Sequence, residues 1–296
     1  MAEATKHEDS DTRTSELFNV TDIYLVFRSC DGILFRINSG FLENAESFPT
    51  PKDFPTGLDE VVDLPEQAST LELMFQFMHP RRQPPLENVV FDTLAQLAEA
   101  VEKYQVFSAL QVCNLTMANT LPNHALEVLE YAVKHNYPGL SDRAGPAVTL
   151  EIISNAAPKV SPKVIQAWMR FFNKWIECMH AVRESRPSYC NQYAGKDPQC
   201  VWSQGSSSIL NLLARTIGKQ SDISVTDLIS PANIDGPWCC RNGIIEWQSK
   251  ARAILSGMPR FSTFCSALIE SVSYPECVES KLQQSGHVPW YVLRRY

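Results

Sequence analysis

Asp22-Ile23-Tyr24-Leu25-Val26-Phe27-Arg28, then Asp31-Gly32, then Ile33-Leu34-Phe35, is the stretch that decides the fold. Ile23, Leu25 and Phe27 alternate with Tyr24, Val26 and Arg28, the period-two pattern of a β-strand with one buried face. A glycine-containing turn between two apolar runs signals a hairpin. Downstream, Val61-Val62-Asp63-Leu64 reads as a third strand, ended by Pro65. The three prolines and glycine of residues 48–58 make the intervening segment a loop, and a short helix is expected over Asn38 to Ala45.

Beyond Pro65 the period changes. Leu71, Met74, Phe75 and Met78 follow the i, i+3, i+4, i+7 rule of a helix face, with Ser69 or Thr70 as N-cap. Pro80, Pro84 and Pro85 interrupt the chain. Leu94, Leu97, Ala98 and Val101 mark the next helix; Leu110, Cys113, Met117 and Leu121 another. Leu126, Leu129 and Val133 mark a fourth, ended by Asn136-Tyr137-Pro138-Gly139. Strands first and helices afterwards predict an α+β fold, a small three-stranded sheet with helices stacked on it, rather than alternating βαβ units.

The longest helical pattern covers residues 161–184. Ser161-Pro162 is an N-cap followed by proline at the first helical position, and Ile165, Trp168, Met169, Phe172, Trp175, Ile176 and Met179 form its apolar stripe. That stripe suits a core; a partner-binding or oligomer face is the sharper alternative. Shorter helices are expected over Ile209–Ile217, Ile244–Leu255 and Glu276–Gln284, with turn-rich chain at 185–204 and 218–243. Residues 1–19 are charged and Ser/Thr-rich and read as a disordered tail. The organisation expected is therefore a tail at 1–19, an α+β domain at 20–121, a helical extension at 122–160 and a helical C-terminal domain at 161–296.

Composition excludes several function classes. Residues 1–120 hold 19 Asp/Glu against 8 Lys/Arg, a net of −11, which repels nucleic-acid phosphates. Residues 121–296 carry 14 against 18, a net of +4, with no basic run. No apolar run approaches the roughly 18–20 residues needed to cross a bilayer, and the polar start MAEATKHEDSDT lacks the apolar segment of a secretory signal. The nine cysteines are an odd count and scattered, as in a reduced cytoplasmic or nuclear protein.

No catalytic signature emerges. G-x-S-x-G, H-E-x-x-H and G-x-G-x-x-G are all missing, and Gly218-Lys219 has Leu213 where a P-loop needs glycine. The expectation is no enzyme, no cofactor, and neither catalytic nor metal-ligating residues. Cys190, Cys200, Cys239 and Cys240 lie in turn-rich chain and leave one alternative open, a zinc-stabilised helical domain of other function.

The segments at 22–37, 61–66, 71–80 and 97–106 together resemble a BTB/POZ domain, of the variety expanded in mushroom-forming fungi. The signatures are the opening hairpin ending Asp31-Gly32-Ile33-Leu34-Phe35-Arg36-Ile37, Val61-Val62-Asp63-Leu64-Pro65-Glu66, a helix ending Phe77-Met78-His79-Pro80, and Leu97-Ala98-Glu99-Ala100-Val101-Glu102-Lys103-Tyr104-Gln105-Val106. Asn38 and Ser39 stand where the family often has His-Lys, and His79 where tyrosine is commoner. The resemblance implies a protein–protein adaptor that forms a homodimer and docks partners. It nominates Leu17, Phe18, Val20, Tyr24 and Val26 for the dimer interface. It nominates Glu72, Gln76, His79, Arg81 and Glu102 for a docking surface that takes a cullin scaffold in many relatives. The alternative from the same resemblance is a transcriptional or chromatin cofactor scaffold acting through oligomerisation.

Overall fold

The computed structural model describes residues 13–19, 24–44, 61–187, 205–211, 229 and 238–270. They are α+β, with a small mixed sheet and a majority of helix. The chain divides into two compact units, Met1–Ile152 and Ile153–Tyr296.

In the first unit, β2 (Tyr24–Arg28) and β3 (Leu34–Asn38) form the antiparallel hairpin, with Tyr24 opposite Asn38, Val26 opposite Arg36 and Arg28 opposite Leu34. Ser29 holds its turn, where Gly32 takes a φ of 87°: Ile33 N–H donates to Ser29 Oγ at 2.9 Å and Gly32 N–H to Ser29 O at 2.9 Å. A 3₁₀ segment at Ser39–Asn44 follows, and β4 (Val61–Asp63) pairs parallel to β2.

The sheet has four strands where three were expected, in the order β1-β3-β2-β4. The addition is β1 (Thr14–Asn19), parallel to β3, so residues 14–19 are ordered strand and not disordered tail. Its register shifts between Thr14, opposite Leu34, and Asn19, opposite Arg36. The irregularity turns Ser15 and Phe18, three positions apart, to the same buried side. Period two is lost, which hides the strand from a pattern reading.

Five helices follow, of which α1 (Ala68–Met78) packs on the sheet and α2 (Phe91–Tyr104), α3 (Phe107–Asn119), α4 (Ala125–Lys134) and α5 (Pro138–Ala144) stack on one another beyond it. Phe75 of α1 is the hub, its ring centroid 5.7 Å from Phe18, 5.8 Å from Phe27 and 5.5 Å from Phe35. Leu71, Met74 and Met78 fill the rest of that layer. Left-handed residues end two of the helices, Gln105 after α2 and Asn136 after α4. In both the chain closes on a carbonyl five residues back, Val106 N–H on Val101 O at 3.0 Å and Tyr137 N–H on Ala132 O at 2.8 Å. The Asn136–Gly139 turn thus ends one helix and, through Pro138 in the first turn, starts the next.

In the second unit, α7 (Pro162–Glu184) begins as its sequence demands, with Ser161 Oγ accepting Val164 N–H at 3.3 Å. The short α6 (Leu150–Ala156) precedes it. Of α7's expected stripe only Trp168 and Met179 are buried; Ile165, Phe172, Trp175 and Ile176 are half-buried and Met169 is 61% exposed, and the buried face is completed by Val164, Ala167, Phe171, Cys178 and Val182. Met179 and Val182 pack with Ile209, Ile229, Cys240, Ile244, Trp247 and Ala251. Trp247 belongs to α8 (Trp238–Ser256) and donates its indole N–H to Val182 O at 2.8 Å. Phe171 meets Phe261 at 5.4 Å and Phe264 at 5.9 Å, both on α9 (Phe261–Glu270). The expected helix at 276–284 and most of that at 209–217 lie outside the described residues.

Candidate functional site

Three concave surfaces of the first unit combine shape with exposed chemistry. The smallest, about 110 Å³, lies where β1 passes the end of α1. Leu17, Phe18, Gln76, His79, Arg81 and Arg82 line it. The irregular register leaves Glu16 and Leu17 both outside, Leu17 61% exposed, and Phe18 inside at 4%. His79 caps the end of α1: its Nδ1 is 2.8 Å from Phe75 O, which assigns the ring proton to Nδ1. The imidazole lies between Phe18 at 5.1 Å and Phe41 at 4.3 Å. Burial lowers its pKa, the Arg81 charge adds to that, and the bond to Phe75 O only partly offsets them. At neutral pH the ring is uncharged, and the positive charge here belongs to the exposed Arg81 and Arg82.

Members of both nominated sets therefore meet in one place: Leu17 and Phe18 from the first, Gln76, His79 and Arg81 from the second. Phe18 is corrected as an exposed interface residue: it is held in the aromatic core and contributes to this cleft only as part of its floor. Tyr24 and Val26 are half-buried on β2, Tyr24 under the Arg36 guanidinium at 5.4 Å. Glu72 is half-buried one turn before Gln76, which donates to its carbonyl at 3.2 Å. Val20 lies outside the described residues.

The largest concavity, about 840 Å³, runs past β4 along α2 and reaches α4. Its walls are a polar network. Lys103 Nζ bonds Glu66 Oε1 at 2.8 Å, and Tyr104 OH donates to Glu66 Oε2 at 2.9 Å. Burial pulls the Lys103 ammonium down, but its bonds to Glu66 and Tyr104 outweigh that and leave it raised. Burial also pushes the Tyr104 phenol up to about 12. Glu99 accepts from Lys134 at 2.5 Å and lies 3.1 Å from His135 Nε2. Glu102 Oε1 takes two phenols, Tyr131 at 3.0 Å and Tyr137 at 2.5 Å, whose hydroxyl pKa values burial and that carboxylate raise. Glu102 was nominated as an exposed docking residue and is corrected: its side chain is 17% exposed, and Tyr131 of α4 and Tyr137 of the turn after it fill its bonds.

The third surface was missed by the sequence reading. Between α3 and α5 lies a groove of about 280 Å³, with Leu115, Tyr137, Leu140, Asn114 and Arg143 among its lining. Phe107 and Leu115 stand 59% and 55% exposed along α3. Asn114 Oδ1 is buried with no hydrogen-bond partner among the described residues. The signal was available: Phe107, Gln111 and Leu115 are spaced by four, a second apolar-edged stripe beside Cys113 and Met117.

Among the described residues no three His, Cys, Asp or Glu are placed to hold a metal ion. Cys190 and Cys200 lie outside the described residues, and Cys240 is buried in the apolar core around Trp247. No described helix is long and apolar enough to cross a membrane. No protein-family model, no curated protein and no solved structure matches the chain.

Proposed function

We propose that the chain is a protein–protein interaction adaptor of the BTB/POZ type, which self-associates and presents targets to a larger assembly such as a cullin-type ubiquitin ligase. The observation that carries this reading is the convergence of Leu17, Gln76, His79 and Arg81 on one cleft. These residues were nominated separately, for dimerisation and for docking, and the fold brings them together. The order of elements supports it too: an antiparallel hairpin, a third strand parallel to the hairpin's first, then α1 to α3. The α3–α5 groove adds a second surface, with Tyr137 and Arg143 in its lining and Phe107 exposed on the same helix as Leu115, and interface anchors are enriched in tyrosine and arginine.

The test is a titration of the purified chain against the N-terminal region of a fungal cullin, with molar mass read by light scattering. Micromolar or tighter binding by a dimer is expected. A monomer that binds nothing at high concentration sinks the reading. A clean dimer without cullin binding keeps the scaffold and removes the ligase.

A further inference from the structure

We propose that the cleft between β1 and the end of α1 is a docking point for a short acidic peptide of a protein partner, in which an acidic side chain lies beside an apolar one.

The argument starts from charge. Residues 1–120 carry only 8 basic side chains against 19 acidic ones. Three of the six described ones hold side-chain bonds, and exposed Arg13 does not line the cleft. Arg28 forks onto Asp63 at 2.5 and 2.9 Å, Lys103 holds Glu66, and Arg36 bonds Asn19 at 3.0 Å while covering Tyr24. Arg81 and Arg82 make no ion pair with any described residue, and both line the same small cleft. Two adjacent guanidiniums in an otherwise acidic unit form a local positive site, and each can fork onto a carboxylate.

The rest of the lining selects what carries that carboxylate. Leu17 gives an exposed apolar wall. Phe18 and the neutral His79 ring make the floor apolar and aromatic. Gln76 spends its amide N–H on Glu72 O, which leaves its carbonyl oxygen as an acceptor for a peptide N–H. A mixed apolar and acidic peptide satisfies all of these groups. A nucleic-acid strand satisfies the arginines alone, and its many phosphates meet the surrounding net negative charge.

The inference rests on the adaptor reading only in taking the partner to be a protein. If the peptide fails to bind while the cullin titration stays positive, this inference falls alone.

The experiment is fluorescence anisotropy on the full chain. The probe is a labelled short peptide alternating leucine with glutamate, and controls replace glutamate by lysine or the peptide by single-stranded DNA. The glutamate peptide is expected to bind, more weakly as salt rises, and the lysine peptide not at all. Arg81→Glu with Arg82→Glu should weaken binding by about a hundredfold, two charge-assisted contacts at about tenfold each. Leu17→Ser should weaken it too, while Arg170→Glu with Arg252→Glu, exposed arginines of the second unit, should leave it unchanged. All these side chains are exposed, so circular dichroism should not move. Equal binding by the Arg81/Arg82 variant, equal loss in the distant variant, or preference for DNA would overturn the proposal.

Discussion

Asp31 Oδ1 accepts the backbone N–H of Ala68 at 2.8 Å, so the turn of the β2–β3 hairpin caps a helix that begins 37 residues later. Gln67, at the N-cap position, supplies no side-chain bond of its own. The hairpin and α1 are thereby held by polar as well as apolar contacts.

Asp31→Ala should lower stability by about 0.5–1 kcal/mol, the lower part of the range for helix caps because this carboxylate is solvent-exposed. The pH dependence has a definite sign. Slight burial works to raise the Asp31 pKa, but bonds from Ser29 and Ala68 outweigh it and leave the folded value below 3.8. The stabilisation is present above the unfolded pKa and is lost as pH falls through the lower folded value. Urea melts of wild type and variant should differ at pH 6 and converge in strong acid; a constant gap refutes the cap.

Glu102 anchors two phenols from α4 and the turn after it. Glu102→Ala should cost about 2–3 kcal/mol, because it orphans the hydroxyls of Tyr131 and Tyr137 together. A double-mutant cycle with Tyr131→Phe reads the coupling, and additive losses would show that the bond carries nothing.

Tyr104 sets an alkaline limit. Burial raises its phenol from 10.0 to about 12, so its contribution is full below pH 10 and lost as pH rises through about 12. Tyr104→Phe should flatten the stability curve over that window, as measured by chemical denaturation at stepped pH. An unchanged slope removes Tyr104 from the account.

Thiol labelling separates the cysteines. Burial pushes the Cys113 thiol up to about 12, and Cys240 is buried beside Trp247, whereas Cys30 is exposed at the hairpin turn. Of these three, iodoacetamide at pH 8, followed by peptide mapping, should modify Cys30 in the native protein and reach Cys113 and Cys240 only in denaturant. Early modification of Cys113 would contradict its placement in the core.

Trp247→Phe should destabilise the second unit by about 1–3 kcal/mol, through the lost bond to Val182 O and the volume left unfilled. Denaturation followed by fluorescence and by circular dichroism measures it.

The elements legible in sequence were those with an unbroken period. The hairpin alternates in its second strand, where Phe35 and Ile37 are buried between half-buried neighbours, and α7 announces itself at Ser161-Pro162. β1 was illegible because its register shift buries Ser15 and Phe18 at a spacing no strand template contains. Helix α5 was masked because Pro138-Gly139 reads as a stop although Pro138 occupies the first turn. For the site, residue type nominated Leu17, His79 and Arg81 but could not tell exposed from buried neighbours: Phe18 faces inward and Glu102 spends its oxygens on tyrosines 29 and 35 positions away. Partners at that separation are set by packing, and no local pattern encodes them.

The two outer strands of the sheet carry a consequence for assembly. β4 is three residues long and runs into Leu64-Pro65, with the Arg28–Asp63 fork across its end. β1 is longer but broken in register. Short or irregular rims are poor templates for a further strand, because a continuous hydrogen-bonded ladder cannot be laid along them. A sheet finished in this way resists stacking into cross-β fibrils at high concentration. Contacts between copies at these described rims are therefore expected through side chains and not through an open-ended row of amides.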